Sequence, residues 1–476
     1  MIFRWPLPFS LIQPGALLKR LHSSTVAWFW VFNGLRLATG ILLLPLVLRK
    51  LSTEELGMYY VFLSQVALAP VIDFGFSPTI LRFVSYAMGG AETIQPQGVS
   101  KSTGTSPNFG LLWQLFFTTR ALYRVLALVL LVILGIWGTY IVNLRVLETP
   151  CPRVTWVAWG ITLIATVLNI YSSWAPVFLR GMNEVLISVR ITVLASGVRF
   201  AVAAGLFLAG AGLMSLPLGD LTGSVIQQVI ARGACLRRLR RAPSTKRSDV
   251  WQQLRIIWPN SWRLGLVTMG GYLTVNANTL ICLKVLGLAA NARYGLSIQL
   301  LGIISGMASA WTQVKWPIIG QHRARHDYAA IQQIFWPRMW LQYLTFLAMA
   351  AGLLVCGQPL LQSLGSNKQM LALPWLALLA LNSFLEMQTS IWGTLITTEN
   401  RIPFLWPSLA SKLLSFGLSL TFIYTTSLGL GALVLAPFLA HCLFDYWYWP
   451  IHAARGIQTS LARFMFSRPK GKPGTL

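Results

Sequence analysis

Residues 125–142 read VLALVLLVILGIWGTYIV, without one charged side chain. About 20 residues of this kind are what a helix needs to cross a hydrocarbon core. Inside lipid every backbone polar group must be paired within the protein, which leaves helices or a closed barrel. The apolar character here is continuous rather than alternating, so a barrel strand is ruled out and the segment reads as a helix. Outward from it, comparable runs fill 26–48, 57–80, 156–177, 191–213 and 216–234. In the second half they fill 256–283, 289–314, 335–356, 370–391, 404–425 and 428–449. The whole chain is 55% hydrophobic and 11% charged, against roughly 25% charged in soluble domains. It therefore reads as an all-α polytopic membrane protein with about 12 transmembrane helices.

The net charge of +26 does not gather on a soluble domain, so nucleic acid is not a partner to expect. The basic residues sit between apolar runs, where the positive-inside rule and anionic headgroups account for them. With twelve spans and a cytoplasmic N-terminus, about 27 of the 38 Lys and Arg residues fall on the inner side and about 7 on the outer. A wrong helix count would scramble that asymmetry. Both termini are thus expected in the cytoplasm. The most basic loop falls midway, giving five parts: a cytoplasmic or interfacial segment 1–25, an N-lobe 26–234, a basic linker 235–255, a C-lobe 256–449 and a basic tail 450–476. No cleavable leader is read at the N-terminus. The five cysteines are scattered without metal or disulfide spacing.

An internal repeat supports two six-helix lobes. Leu48-Arg49-Lys50-Leu51 followed by Tyr59 recurs as Leu283-Lys284-Val285-Leu286 followed by Tyr294, at one constant offset. An even number of helices per lobe makes such repeats parallel, related by an axis along the membrane normal.

Residues 51–60 read LSTEELGMYY, and 73–83 read DFGFSPTILRF. The acidic pair followed by Gly-x-Tyr, and the Asp-x-Gly ending in Thr-x-x-Arg-Phe, resemble the first helical hairpin of the O-antigen and polysaccharide-biosynthesis flippases. That family lies within the multidrug, oligosaccharidyl-lipid and polysaccharide exporter superfamily. The second copy of the repeat has Ala289-Ala290-Asn291 in place of the acidic pair. The resemblance implies a V-shaped pair of bundles whose cavity opens alternately to cytoplasm and periplasm. The expected cargo is an undecaprenyl-pyrophosphate-linked oligosaccharide, with its head in the cavity and its tail in lipid. Polysaccharide assembly proteins are the expected partners.

A charge near the bilayer centre costs about 2.5–3.5 kcal/mol on insertion scales, so intramembrane ions face a cavity or a partner. Arg36, mid-span beside Asn33, is the sharpest candidate for a pyrophosphate, because its fixed charge and forked donors suit one. Its alternative is a structural ion pair with Asp73 or Asp220. Arg199 and Lys412 are candidates for lining the path, and Arg263 either binds substrate or snorkels to the surface. Asp73, Asp220, Glu386 and Asp445 are candidates for ion coupling or structural pairing. Asp73 is also placed to cap a broken helix before Pro78. No cofactor is expected beyond coupling to protons or sodium ions.

Three functions compete. A non-enzymatic flippase for a lipid-linked glycan fits the excess of intramembrane cations. A cation-coupled multidrug antiporter of the same superfamily would want acidic cavity residues. A membrane polymerase or ligase would want a large external loop, which this chain lacks.

Overall fold

The computed structural model describes residues 28, 34, 42–94, 107–239, 250–313, 315–324, 327–363, 365–397 and 405–466. Every regular element among them is helical. The N-lobe holds α1 (42–50), α2 (Thr53–Val66), α3 (Leu68–Asp73) and α4 (Phe76–Met88). It continues with α5 (Phe109–Asn143), α6 (Pro152–Ser172), α7 (Trp174–Gly181), α8 (Val185–Leu208) and α9 (Ser215–Leu239). The C-lobe holds α10 (Val250–Gln313), α11 (Trp316–Ala324), α12 (Tyr328–Ser363) and α13 (Leu373–Thr397). It closes with α14 (Leu405–Thr425), α15 (Leu430–Cys442), α16 (Asp445–Gly456) and α17 (Leu461–Phe466). Seven helices are long and apolar enough to cross a membrane by those criteria alone. Helices α9, α13 and α14 fall outside that group; they carry Asp220, the Asn382/Glu386 pair and Lys412, among other polar residues.

Local chemistry explains where these helices start and bend. Ser52 and Glu55 form a reciprocal capping box at the start of α2: each backbone N–H donates to the other's side chain, at 2.8 and 3.0 Å. The second member of the acidic pair therefore starts a helix. Between α3 and α4 the chain takes two left-handed residues, Phe74 (φ 47°) and Gly75 (φ 75°). A Cβ on Gly75 would sit 2.6 Å from both Leu264 Cβ and the Ser261 oxygen, so close approach as well as backbone conformation calls for glycine. In α10 a single residue, Gly287 (φ 84°), turns the chain between two membrane-spanning arms.

Several boundaries differ from those read in the sequence. Helix α5 begins at Phe109, not 125, because Asn108 caps it: the Leu111 N–H donates to Asn108 Oδ1 at 3.0 Å. Helix α9 runs to Leu239, with Cys235 and Leu239 buried, so the first residues assigned to the linker are helical core. The segment assigned to a tail begins inside α16, and α17 then docks on the C-lobe. Its Phe464 is buried, stacks on Phe335 and meets Trp392 edge to face. Helix α11 was not anticipated.

The two lobes meet at two levels: Phe74, Gly75 and Thr118 lie against Gly265, Ser261 and Gln253 of the first arm of α10, and at one end of the bundle α2 crosses the second arm. A Cβ on Gly57 would overlap the Leu288 carbonyl oxygen, and one on Gly295 would enter the Tyr60 ring. Asn291 Nδ2 donates to the Gly57 oxygen at 2.9 Å, and the Tyr60 hydroxyl donates to Gln299 Oε1 at 2.7 Å. The loop after α5 adds an ionic clamp. Arg145, paired with Glu148, donates to the Lys284 oxygen at 3.0 Å, while Glu148 accepts from the Leu288 N–H at 3.2 Å. The cation thus meets the carboxyl end of one arm and the anion the amino end of the other, each sign matching the helix dipole it faces. Gly57, Gly295 and the clamp together seal this end.

Candidate functional site

Two cavities lie on the inner faces of the lobes. The larger, about 910 Å³, belongs mainly to the N-lobe. Its wall comes from α1 to α4, α6, α8 and α9, with Leu264, Val267, Thr268 and Gln299 added from both arms of α10. The smaller, about 480 Å³, lies within the C-lobe between α10, α13 and α15. Tyr59 lines the first and Tyr294 the second, so the residues paired by the sequence repeat occupy corresponding places.

Three charged residues line the larger cavity: Asp73, Arg199 and Asp220. Asp73 sits at the break between α3 and α4 and holds it. One carboxylate oxygen accepts from the Ser77 N–H at 3.2 Å. The other accepts from Ser77 Oγ at 2.9 Å and from the Tyr123 hydroxyl at 2.7 Å. Its oxygens are therefore engaged by protein donors, and the capping reading describes this geometry.

Arg199 and Asp220 stand on neighbouring antiparallel helices, with Arg199 Nε 3.1 Å from Asp220 Oδ1. The side chains are 34% and 45% accessible, and that access is onto the cavity they line. Small residues make the approach possible: a Cβ on Gly223 would lie 3.1 Å from Arg199 Nε, and one on Gly219 2.8 Å from the Arg199 oxygen. The contact is an ion pair by distance, but the Nε–H is not aligned on the oxygen as a hydrogen bond. Among the described residues neither Nη of Arg199 has a protein partner. A guanidinium carries five N–H donors in a fixed fork, and among the described residues none of those of Arg199 is hydrogen-bonded.

The C-lobe cavity has one charged lining residue, Glu386. Asn382, one turn before it on α13, donates to Glu386 Oε1 at 3.1 Å and accepts from the Tyr446 hydroxyl at 2.6 Å. His441 Nδ1 lies 3.4 Å from that hydroxyl and 3.8 Å from the carboxylate. Lys412 is within electrostatic reach of Glu386, His441 and Asp445, and its stem lies over Gly270. Asp445 is buried behind this cluster and accepts from Trp449 Nε1 at 3.0 Å.

The sequence candidates thus separate. Arg199, Asp220 and Asp73 share the N-lobe cavity. Glu386 lines the C-lobe cavity, and Lys412 and Asp445 stand beside or behind Glu386 and line neither cavity. Arg263 is exposed, its guanidinium over the Trp262 ring at 5.7 Å, while Leu264 and Val267 face the cavity in its place. Arg36 and Asn33 lie outside the described residues. Tyr123, Asn169, Gln299, Tyr446 and His441 were not singled out beforehand. Of the hydrogen bonds described at the two cavities, Asn382–Glu386 and Asp445–Trp449 have a spacing, four residues on one helix, that signals contact in the sequence.

No protein-family model and no curated protein matches the chain. Solved structures do. The chain is similar to an inward-facing multidrug resistance MATE family transporter of the MOP superfamily, at 14% identity and TM-score 0.59. That match covers 92% of this chain and 99% of the other. An outward-facing structure described in the same words gives 15% identity and TM-score 0.50, covering 94% and 97%. A MOP superfamily transporter from Pyrococcus furiosus, whose reverse polarity of binding pocket suggests a different function, gives 16% and 0.54, covering 94% and 97%. The fold is that of a multi-pass, two-lobed membrane transporter. More particularly, it is the fold of the MATE structures of the MOP superfamily, with about twelve transmembrane helices.

Proposed function

We propose that the protein is a flippase that moves an undecaprenyl-pyrophosphate-linked oligosaccharide, an O-antigen or exopolysaccharide repeat unit, across the bacterial inner membrane by alternating access. One observation carries the reading. In the N-lobe cavity the Asp73 carboxylate is engaged by Ser77 and Tyr123 and Asp220 stands against Arg199, while among the described residues the Arg199 fork has no hydrogen-bond partner. An open guanidinium in a cavity suits a pyrophosphate, which it can grip through two parallel hydrogen bonds. Arg36 and Asn33, on the first span, are the residues we assign with it.

The sealed end is the periplasmic one in this reading. Charge placement supports it, since Arg82, Arg120, Arg124, Arg180, Arg190 and Arg232 belong to the opposite end. The higher TM-score against the inward-facing transporter than against the outward-facing one agrees with a cavity open to the cytoplasm. The reaction is translocation, without bond chemistry or a cofactor. Glu386, hydrogen-bonded and cavity-facing, is the candidate for coupling to protons or sodium ions. Polysaccharide assembly proteins would receive the cargo on the far side.

The test is depletion of the protein followed by measurement of lipid-linked oligosaccharide on the cytoplasmic leaflet. Accumulation there is expected, and its absence sinks the glycan reading. A second reading, a cation-coupled multidrug antiporter, is favoured by one feature: Glu386 is the single charged residue lining the C-lobe cavity. It requires Glu386-dependent export of a cationic dye, with no glycolipid accumulation on depletion.

A further inference from the structure

The Arg199–Asp220 pair has properties that neither a purely structural salt bridge nor a free cation would share. A structural pair deep in a membrane protein is normally well aligned and hydrogen-bonded, because that repays the removal of both charges from water. This pair is close but not aligned, and among the described residues no other hydrogen bond holds either side chain. Two further donors line the same cavity. The Asn169 amide has no partner among the described residues, and Gln299 keeps its amide nitrogen while its oxygen accepts from Tyr60. The threonine hydroxyls of α6 behave differently: Thr162 and Thr166 donate back to the helix carbonyls of Ala158 and Thr162.

An anion arriving on the Arg199 fork meets an electrostatic problem. Arg199 and Asp220 together are neutral, and the guanidinium already has a carboxylate 3.1 Å from Nε. A second anion on the same cation would leave the three groups net negative within a few ångströms of one another. Like charges within a few ångströms disfavour the ionised form of a carboxylate. The groups that face Asp220 are few. Arg199 comes from α8 and Tyr59 from α2. The α6 lining residues Thr162, Thr166 and Asn169 do not titrate. Asp73, at the α3–α4 break, is held by Ser77 and Tyr123, and Arg180 of α7 acts on Tyr123. Within this set Asp220 is the group able to relieve the repulsion, by taking one proton.

The geometry points to an oxyanion site on the Arg199 fork that fills together with one proton on Asp220. Asp220 is then a positioning residue: it holds the guanidinium edge-on in the empty cavity and gives up its charge when a phosphate-type head arrives. This deepens the flippase reading and rests on it for the identity of the natural ligand, but the site is defined by oxyanion chemistry alone. It also supplies a link between proton and cargo within the N-lobe, independent of Glu386.

The test uses the full chain in lipid nanodiscs with radiolabelled inorganic sulfate as probe, read by scintillation proximity. Sulfate keeps one charge state between about pH 5 and 8, so a pH effect there belongs to the protein. Wild-type affinity is expected to fall as pH rises, by up to about tenfold per unit where one proton is taken up per anion. Asp220→Asn is expected to bind tightly and without pH dependence, and Asp220→Ser serves if the asparagine variant fails to fold. Arg199→Ala is expected to lose binding, and Arg199→Lys to recover part of it as a point charge without the fork. A flat wild-type profile, equal slopes for wild type and Asp220→Asn, or unchanged binding in Arg199→Ala each overturns the inference. The glycan reading fails separately. Proton-linked sulfate binding on Arg199, with no glycolipid accumulation on depletion, leaves the site standing and removes the cargo.

Discussion

Gly57→Ala tests whether the sealed end is a gate. Gly57 lies inside α2, so alanine adds no backbone strain and the substitution acts only through its methyl group. That methyl would overlap the Leu288 carbonyl oxygen, and backbone on both sides leaves no flexible side chain to yield. Restoring ordinary contact at about 3.5 Å parts the seam by about 1 Å. The Asn291 hydrogen bond to the Gly57 oxygen, buried at both ends, is then lost at about 1–1.5 kcal/mol. Tyr60 also backs away from Gly295, for about 1 kcal/mol more in dispersion. A conformation with this end open contains neither contact and is untouched. The sealed state should therefore lose about 2–2.5 kcal/mol against it, a shift of roughly 30- to 70-fold in population. Spin labels at Leu147 and Leu373, exposed by 85% and 61% on opposite lobes, report the distance across this end by pulsed EPR in a cysteine-free background. A longer distance with little loss of thermal stability is expected. An unchanged distance accompanied by a lower melting temperature would show that the seam is static packing, and the gate argument would fail.

Three further outcomes follow from the same contacts. Glu148→Ala removes the cap on Leu288 and the partner of Arg145; with side chains about a third exposed it should favour the open state by only about 0.5–1 kcal/mol. Arg145→Ala should add little on top of it, because both act through one clamp, and additive shifts in the same EPR distance would contradict that. Asp73→Ala strips three hydrogen bonds from the α3–α4 break and should cost about 1–3 kcal/mol in thermal unfolding, with Asp73→Asn intermediate. Equal stability of all three proteins would refute a capping role. Phe464→Ala should destabilise by about 3 kcal/mol or more, since the ring is fully buried against Phe335 and Trp392. An unaltered melting temperature would mean that α17 is not part of the C-lobe.

The helical, two-lobed plan was legible because lipid imposes it: continuous apolar runs and one-sided positive charge permit little else. Tyr59 and Tyr294, which the constant offset links, line one cavity each. Contacts between helices were much less legible. Arg199 and Asp220 meet because α8 and α9 pack antiparallel with Gly219 and Gly223 between them. The spacing of the two charges in the chain says nothing about which faces turn together. The start of α5 was missed because polar Gln114 and Arg120 interrupt the apolar run. The N-cap at Asn108 marked that start, but an isolated asparagine carries little signal. Depth in the chain left Arg263 open between the cavity and the surface; it is exposed, with its guanidinium over the neighbouring Trp262 ring.

The placement of the two ion pairs divides the work between them. Arg199 and Asp220 both belong to the N-lobe, so a rocking motion of one lobe against the other carries the pair along unbroken. Arg145 and Glu148 also belong to the N-lobe, but their outer contacts are the Lys284 oxygen and the Leu288 N–H of the C-lobe, which the same motion must break. Charge at the first pair should therefore govern occupancy at fixed conformation, and charge at the second should govern conformation at fixed occupancy. Substrate could still couple them, since Gln299 and Tyr60 join the cavity wall to the sealed seam through one hydrogen bond. A head group that draws Gln299 toward Arg199 would pull on that bond. It would loosen the seam at the moment the cavity fills, which is the order of events that alternating access requires.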